Sequence, residues 1–274
     1  MIKAINEIKE SIKLIDVVVE ILDARLPLSS RNKKIIELAQ DKKKIVVLNK
    51  IDLADDKMTN KFKSYFESLG ITVICMNANN KNDIANLLKT ITKVSESLNK
   101  YKNKSIEIKP IYRILIAGIP NVGKSTIINK LSNKNSLNVS NRPGVTVKKQ
   151  WIKISGNIEL LDTPGILWPD LNEGAAGLKL ALTGNIKQDI LDSETLAFEG
   201  LKLLISKNKY NNILKEKYKI SNINAEIEDI VSEIGKKTGC LVKGGEIDVE
   251  KASNIFLNDL RSGKIAKITL DDID

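Results

Sequence analysis

Residues 112–131 constrain this chain more than any other stretch. Tyr112-Arg113-Ile114-Leu115-Ile116-Ala117 is apolar and rich in branched side chains, as a buried strand requires. It runs directly into Gly118-Ile119-Pro120-Asn121-Val122-Gly123-Lys124-Ser125, and a helical pattern comes next. A strand, a loop of the form GxxxxGK[ST] and a helix together make a cradle for phosphate. The glycines let backbone N–H groups curl around the anion, and the helix N-terminus adds partial positive charge. Lys124 is expected to meet the β- and γ-phosphates and the Ser125 hydroxyl to coordinate Mg²⁺. The candidate binding run is Pro120, Asn121, Val122, Gly123, Lys124, Ser125 and Thr126, in a nucleoside triphosphate site.

The surrounding pattern agrees with that context. β-Branched runs at 16–22, 44–49, 71–77, 112–118 and 157–162 alternate with amphipathic stretches at 32–40, 58–70 and 82–98. Such alternation predicts an α/β sheet with mostly parallel strands. Residues 99–110 are polar, end in proline and read as a connector. After about residue 170 the strand signal fades, and helical spacing at 194–206, 224–239 and 249–264 predicts a smaller helical domain. The expected division is 1–170 and 171–274.

Composition removes several chemistries. The 274 residues include no histidine, which excludes His-based triads and His-ligated metals. Two cysteines, Cys75 and Cys240, cannot supply a disulfide framework or a multi-cysteine zinc site; they suit a reducing cytosol, so a cytoplasmic protein is expected. No run reaches ~18 uninterrupted apolar residues and the N-terminus shows no signal-peptide pattern, so no membrane association is expected. The formal charge of +10 is unevenly placed: residues 1–170 carry 29 Lys+Arg against 17 Asp+Glu, residues 171–274 only 15 against 17. A basic excess suits a polyanionic partner such as RNA, and equally a solvated lysine surface. One local basic block, 201–220, holds Lys202, Lys207, Lys209, Lys215, Lys217 and Lys219.

Four further motifs sharpen the nucleotide. Asp162-Thr163-Pro164-Gly165 ends an apolar run; alone it is an ordinary turn, but beside a phosphate loop Asp162 can hold Mg²⁺ through water and the Gly165 N–H can reach the γ-phosphate. Asn141-Arg142-Pro143-Gly144-Val145-Thr146 reads either as a Pro-Gly turn or as a switch whose Thr146 completes the Mg²⁺ shell. Asn49-Lys50-Ile51-Asp52 ends the strand 44–48. Asp52 can accept from both N1–H and N2–H₂ of guanine, a pairing that can reject the wrong base by as much as roughly 10⁴-fold. Lys50 would lay its stem along the base and Asn49 brace the loop. Asn77-Ala78 either offers a backbone N–H to guanine O6 or is a plain turn. An ATP-dependent kinase or transporter ATPase conflicts with the Asn-Lys-Ile-Asp motif.

These elements occur in the order base-reading, base-reading, phosphate loop, switch, metal aspartate. The chain thus resembles the circularly permuted GTPases, and among them the bacterial ribosome-biogenesis GTPase A family. Asp23-Ala24-Arg25-Leu26-Pro27, Gln150-Trp151, Ile166-Leu167-Trp168-Pro169 and Thr183-Gly184-Asn185-Ile186-Lys187 extend the resemblance over nearly the whole chain. It implies an α/β P-loop GTPase fold, circularly permuted, with a smaller C-terminal helical domain. It implies a GTP hydrolase with Mg²⁺ that binds the maturing large ribosomal subunit in its GTP form and leaves on hydrolysis. Lys124, Thr146 and Gly165 are then the catalytic candidates; Ser125, Thr146 and Asp162 are the Mg²⁺ ligands. Asn121 resembles the asparagine that helps hold K⁺ in potassium-stimulated GTPases; the alternative is a loop-stabilising amide. The helical domain is expected to contact ribosomal RNA, with the 201–220 block as the candidate face. Residues 99–110 can span about 40 Å, which closes the permuted sheet easily. The chain passes from Gly165 straight into the helical domain, so that stretch is expected either to relay the γ-phosphate state there or to be a passive tether.

The chain also departs from its relatives. Ile166 stands where many GTPases place a water-orienting glutamine, and the resemblance assigns that role to a histidine in an N-terminal motif. This chain has none. Its Met1-Ile2-Lys3-Ala4 resembles the family's segment immediately after that histidine, so a shortened or misplaced start is expected. Without the histidine, the competing expectation is a GTP-gated RNA-binding module with little hydrolysis.

Overall fold

The computed structural model describes residues 10, 12–98, 110–132, 150–162, 174–186 and 192–273. Six strands form one sheet: β1 (Val17–Asp23), β2 (Lys43–Asn49), β3 (Thr72–Met76), β4 (Tyr112–Ala117), β5 (Gln150–Ser155) and β6 (Ile158–Asp162). Their spatial order is β3-β2-β1-β4-β6-β5. All neighbours are parallel except β5, which pairs antiparallel with β6. The phosphate-loop strand β4 is fourth in the chain yet lies in the interior of the sheet. Three strands that precede it build one half and two later strands build the other. This is how a permuted order closes.

Alternation within the strands puts apolar side chains on both faces. Val17, Val19, Ile21, Ile114 and Ile116 face one side, where α3 (Lys81–Glu96) and α4 (Lys124–Leu131) bury Ile84, Leu87, Ile91, Ile127 and Leu131. On the other side Val18 and Leu115 pack with Ile35 of α1 (Lys33–Leu38), while Val46 and Leu48 pack with Phe62 and Phe66 of α2 (Asp56–Ser68). Asp55 caps α2 by accepting from the Lys57 and Met58 N–H groups, and Asn80 caps α3 through the Asn82 N–H.

Past the sheet come α5 (Gly174–Leu182), α6 (Ser193–Ser206), α7 (Asn211–Tyr218), α8 (Ile227–Thr238) and α9 (Val249–Arg261). Helix α9 packs against both α6 and α8. The apolar core of this bundle is continuous with the sheet face under α3 and α4. Residues 264–273 then return to the sheet as an extended strap. The Ile268 N–H donates to Leu53 O and the Leu270 N–H to Arg25 O, each at 2.9 Å. Asp271 accepts from the Leu28 and Ser29 N–H groups, the Ser29 hydroxyl and Lys179 Nζ.

Three elements differ from the sequence expectation. The edge strand β5 and the helices α5 and α7 are additional. Among the described residues, no helix is long and apolar enough to cross a membrane.

Candidate functional site

Because β1, β2, β3, β4 and β6 run parallel, their C-terminal ends share one edge of the sheet, the edge where α/β folds bind ligands. That edge gathers Asp23, Asn49, Asn77, Gly118 and Asp162 from five separate stretches. Asp162 closes β6 one position beyond the Leu115–Leu161 pair. Thr146 and Gly165, the two switch candidates, lie outside the described residues, as does Ile166.

Asn49 is the joint of the cluster. It is buried; its Nδ2 donates to Val122 O at 2.7 Å, and its Oδ1 accepts from the Ala78 N–H at 2.9 Å. One carboxamide therefore binds the phosphate loop to both base-side loops. The Ala78 and Asn77 N–H groups are both engaged, with Asn49 and with Asp83 Oδ2. The Ala78 carbonyl accepts from Lys130. Asp52 is exposed on the turn after β2.

The phosphate loop fits tightly against these neighbours. At Gly118, with φ of 153°, a Cβ would stand 2.5 Å from Ile21 O. At Gly123, with φ of 103°, it would overlap the Asn49 amide nitrogen. Both glycines are thus required by backbone conformation and by close approach, before any phosphate is considered. Lys124 folds back and donates to Gly118 O and Ile119 O, both at 2.7 Å. Burial pushes its ammonium down to about 8. Ser125 and Thr126 are exposed on the first turn of α4. Asn121, in the left-handed region at φ of 57°, donates its amide to Gly184 O at 3.1 Å and Asn185 O at 3.4 Å.

A charged network lies beneath the base-side loop. Asp23 is fully buried and accepts from Arg25, from Lys50 Nζ at 2.9 Å and from Asn185 Nδ2 at 3.1 Å. Burial pushes its carboxyl up, but the Arg25 guanidinium and the Lys50 ammonium outweigh that and hold it far below the usual carboxylate range. Arg25 also donates to Thr183 O and Arg261 O. In the sequence, Asp23, Arg25, Thr183 and Asn185 stand out only as family likeness. A carboxylate closing the apolar strand Val-Val-Val-Glu-Ile-Leu-Asp is the signal that could have found them.

Comparison with known proteins places this arrangement. A family model described as RsgA GTPase matches residues 11–172, and one described as 50S ribosome-binding GTPase matches residues 113–242. Ribosome biogenesis GTPase A of Bacillus cereus is 46% identical, covering 99% of this chain and 91% of that protein. The chain belongs to the ribosome biogenesis GTPase A family. Its relative of that name from Thermotoga maritima is 29% identical, covering 98% of this chain and 90% of that protein. Among solved structures, GDP-bound YlqF superposes with a TM-score of 0.70 at 27% identity, covering 97% of this chain and 98% of that one. GNP-bound YlqF from T. maritima gives 0.67, covering 99% and 100%. The circularly permuted P-loop GTPase fold is thus shared with this family.

Four of the six lysines in the 201–220 block are ion-paired, and Lys202 and Lys209 remain exposed within their pairs. Lys202 pairs with Glu199, Lys207 with Asp272, Lys209 with Asp55 and Lys217 with Asp259. Lys207 and Lys209 fasten α6 and the turn after it to the C-terminal strap and to the cap of α2. Only Lys215 and Lys219 of the six carry no ion pair among the described residues. Lys207 and Lys209 thus serve intramolecular docking, whereas Lys202–Glu199 is an exposed pair within α6.

Proposed function

We propose that this chain is a GTP-binding and GTP-hydrolysing assembly factor that acts on the maturing large ribosomal subunit of the cytoplasm. It binds the subunit in the GTP form and leaves on hydrolysis. The observation that carries this reading is the 46% identity to a ribosome biogenesis GTPase A along essentially the whole chain. The convergence of Asn49, Ala78 and Val122 at one edge supports a guanine nucleotide lying across the base-side and phosphate loops.

In this reading Asp52 accepts from guanine N1–H and N2–H₂, and the Lys50 stem covers the base. A backbone N–H of Asn77-Ala78 would have to leave its present acceptor, Asp83 or Asn49, to donate to guanine O6. Lys124 exchanges its two loop carbonyls for phosphate oxygens, a trade of neutral acceptors for charged ones. The backbone from Pro120 to Thr126 surrounds the phosphates. Oxygen donors of Ser125, Thr146 and Asp162 suit Mg²⁺, whose charge would offset that of the β- and γ-phosphates. The exposed Ser125 hydroxyl at the helix start fits that role. The Asn121 amide nitrogen is turned to Gly184 and Asn185, which leaves its oxygen as the donor for K⁺. Thr146 and Gly165 sense the γ-phosphate, and their state passes to the helical bundle and its ribosomal RNA contact, where Lys215 and Lys219 are the block's two lysines with no ion pair among the described residues.

The test is GTP turnover by this chain in potassium buffer, with and without purified large subunits. Strong stimulation by the subunit is expected. No turnover despite intact GTP binding would favour a second reading, a nucleotide-gated RNA-binding module; the absence of any histidine in the 274 residues favours it. Replacing Asp52→Asn should move preference from guanine toward xanthine nucleotides, read by competition binding; unchanged GTP affinity would remove the base-reading role.

A further inference from the structure

Asp23 receives more donors than a structural ion pair needs. Its Oδ1 accepts from the Arg25 N–H at 3.1 Å and Arg25 Nε at 2.9 Å. Its Oδ2 accepts from an Arg25 terminal nitrogen at 2.7 Å, Lys50 Nζ at 2.9 Å and Asn185 Nδ2 at 3.1 Å. Five donors saturate a carboxylate with about four lone-pair sites, so the group has no freedom to turn. The Asp23 N–H is itself held by the Ser30 hydroxyl.

Lys50 is the unusual partner. It leaves β2 directly beyond the Asp23–Asn49 pair, in the left-handed backbone region at φ of 63°. A non-glycine residue there is strained and needs a compensating contact. The charge-assisted bond to Asp23 is such a contact, and Asn185 Oδ1 adds a longer one at 3.4 Å. Asn185 is buried, lies after α5 in the helical bundle, and fixes its own amide between Asp23 and Thr183 Oγ1.

We propose that Asp23 is a positioning residue for nucleotide binding: it fixes the Lys50 side chain under the base and, through Asn185, makes that placement depend on the docked helical bundle. This rests on the reading of Asn49-Lys50-Ile51-Asp52 as the guanine-binding loop. The consequence is a direct link on the base side, separate from the γ-phosphate switch. Loosening the bundle lets the Lys50 ammonium leave Asp23, and guanine nucleotide binds less tightly whether it carries two phosphates or three.

The experiment is a double-mutant cycle on the full chain, with GDP affinity read by fluorescent-nucleotide titration. Asp23→Asn and Lys50→Met are each expected to weaken GDP about 10-fold, the scale of one hydrogen bond to a charged group. The double variant is expected to bind no more weakly than Lys50→Met alone. If the losses multiply to about 100-fold, or if Asp23→Asn binds GDP like the unaltered chain, Asp23 does not act through Lys50 and the proposal is overturned. If Lys50→Met itself binds normally, the base-reading assignment fails, and the inference with it. Should Asp23→Asn not fold, Asn185→Leu carries the test: a loss of about 3-fold is expected in the unaltered chain and none in the Lys50→Met background. An equal loss in both backgrounds would again overturn the proposal.

Discussion

At the scale of single residues, the phosphate loop is governed by contacts that exist before phosphate arrives. A methyl at Gly123 would displace the Asn49 amide from Val122 and strain a backbone held at φ of 103°. Gly123→Ala is therefore expected to cost about 2–3 kcal/mol in thermal unfolding and to weaken GDP at least roughly 10-fold. Lys124 makes a prediction in pH. Its value of about 8 in the folded chain lies below the ordinary 10.5, so the unfolded chain holds more protons between those limits and this lysine's contribution to stability rises with pH there. Binding has the opposite sign. Polyphosphate favours the ammonium and raises its pKa, so GDP affinity should be flat below about pH 8 and decline above it. Titrations from about pH 7 to about pH 9 check this, and affinity that stays level across that window would contradict it.

At the scale of elements, the parts legible in the sequence are those that local chemistry dictates. The strand–loop–helix at 112–131 and the strand ends at Asn49 and Asn77 announce themselves, because a buried parallel strand must be an unbroken apolar run. Strand β5 does not: Gln150–Ser155 mixes polar and apolar residues, as an edge strand paired on one side only can. Helix α5 is built from Gly, Ala and Leu with the single charge of Lys179, a composition with little amphipathic contrast. Helix α7 is hidden by the lysines in and around it, whose partners Asp55, Asp259 and Asp272 are remote in the chain. The strap after α9 is equally illegible, since its anchors are backbone groups of distant loops. It is nonetheless structural. Asp271 is buried and satisfies two N–H groups, one hydroxyl and Lys179. Asp271→Ala leaves all four without a partner, so a loss on the order of 3 kcal/mol is expected, visible as a lower midpoint in denaturant unfolding. A loss below about 0.5 kcal/mol, the level of an ordinary surface substitution, would mean the strap is not holding the loop at Leu28 and Ser29.

At the scale of the whole molecule, the permuted order decides what the helical bundle can touch. The chain enters the bundle after β6, on the far side of β4 from β2 and β3, yet the bundle docks back across the edge onto the ends of β1 and β2. It does so with a saturated buried carboxylate at Asp23, with the Asn121 amide on Gly184, with the strap on Leu53 and Arg25, and with an apolar core continuous with the sheet. Separating the two halves would strand a buried charge and expose part of that core, a far larger cost than a flexible tether imposes. The halves should therefore unfold as one cooperative unit despite their different architectures. In calorimetry a single transition is expected, and GDP at about 100 times its dissociation constant should add roughly 2.7 kcal/mol to the whole of it. Two transitions, with only the earlier or only the later one moving with GDP, would show that the bundle does not share the stability of the nucleotide site. The base-side link through Asp23 and Asn185 would then have no mechanical basis.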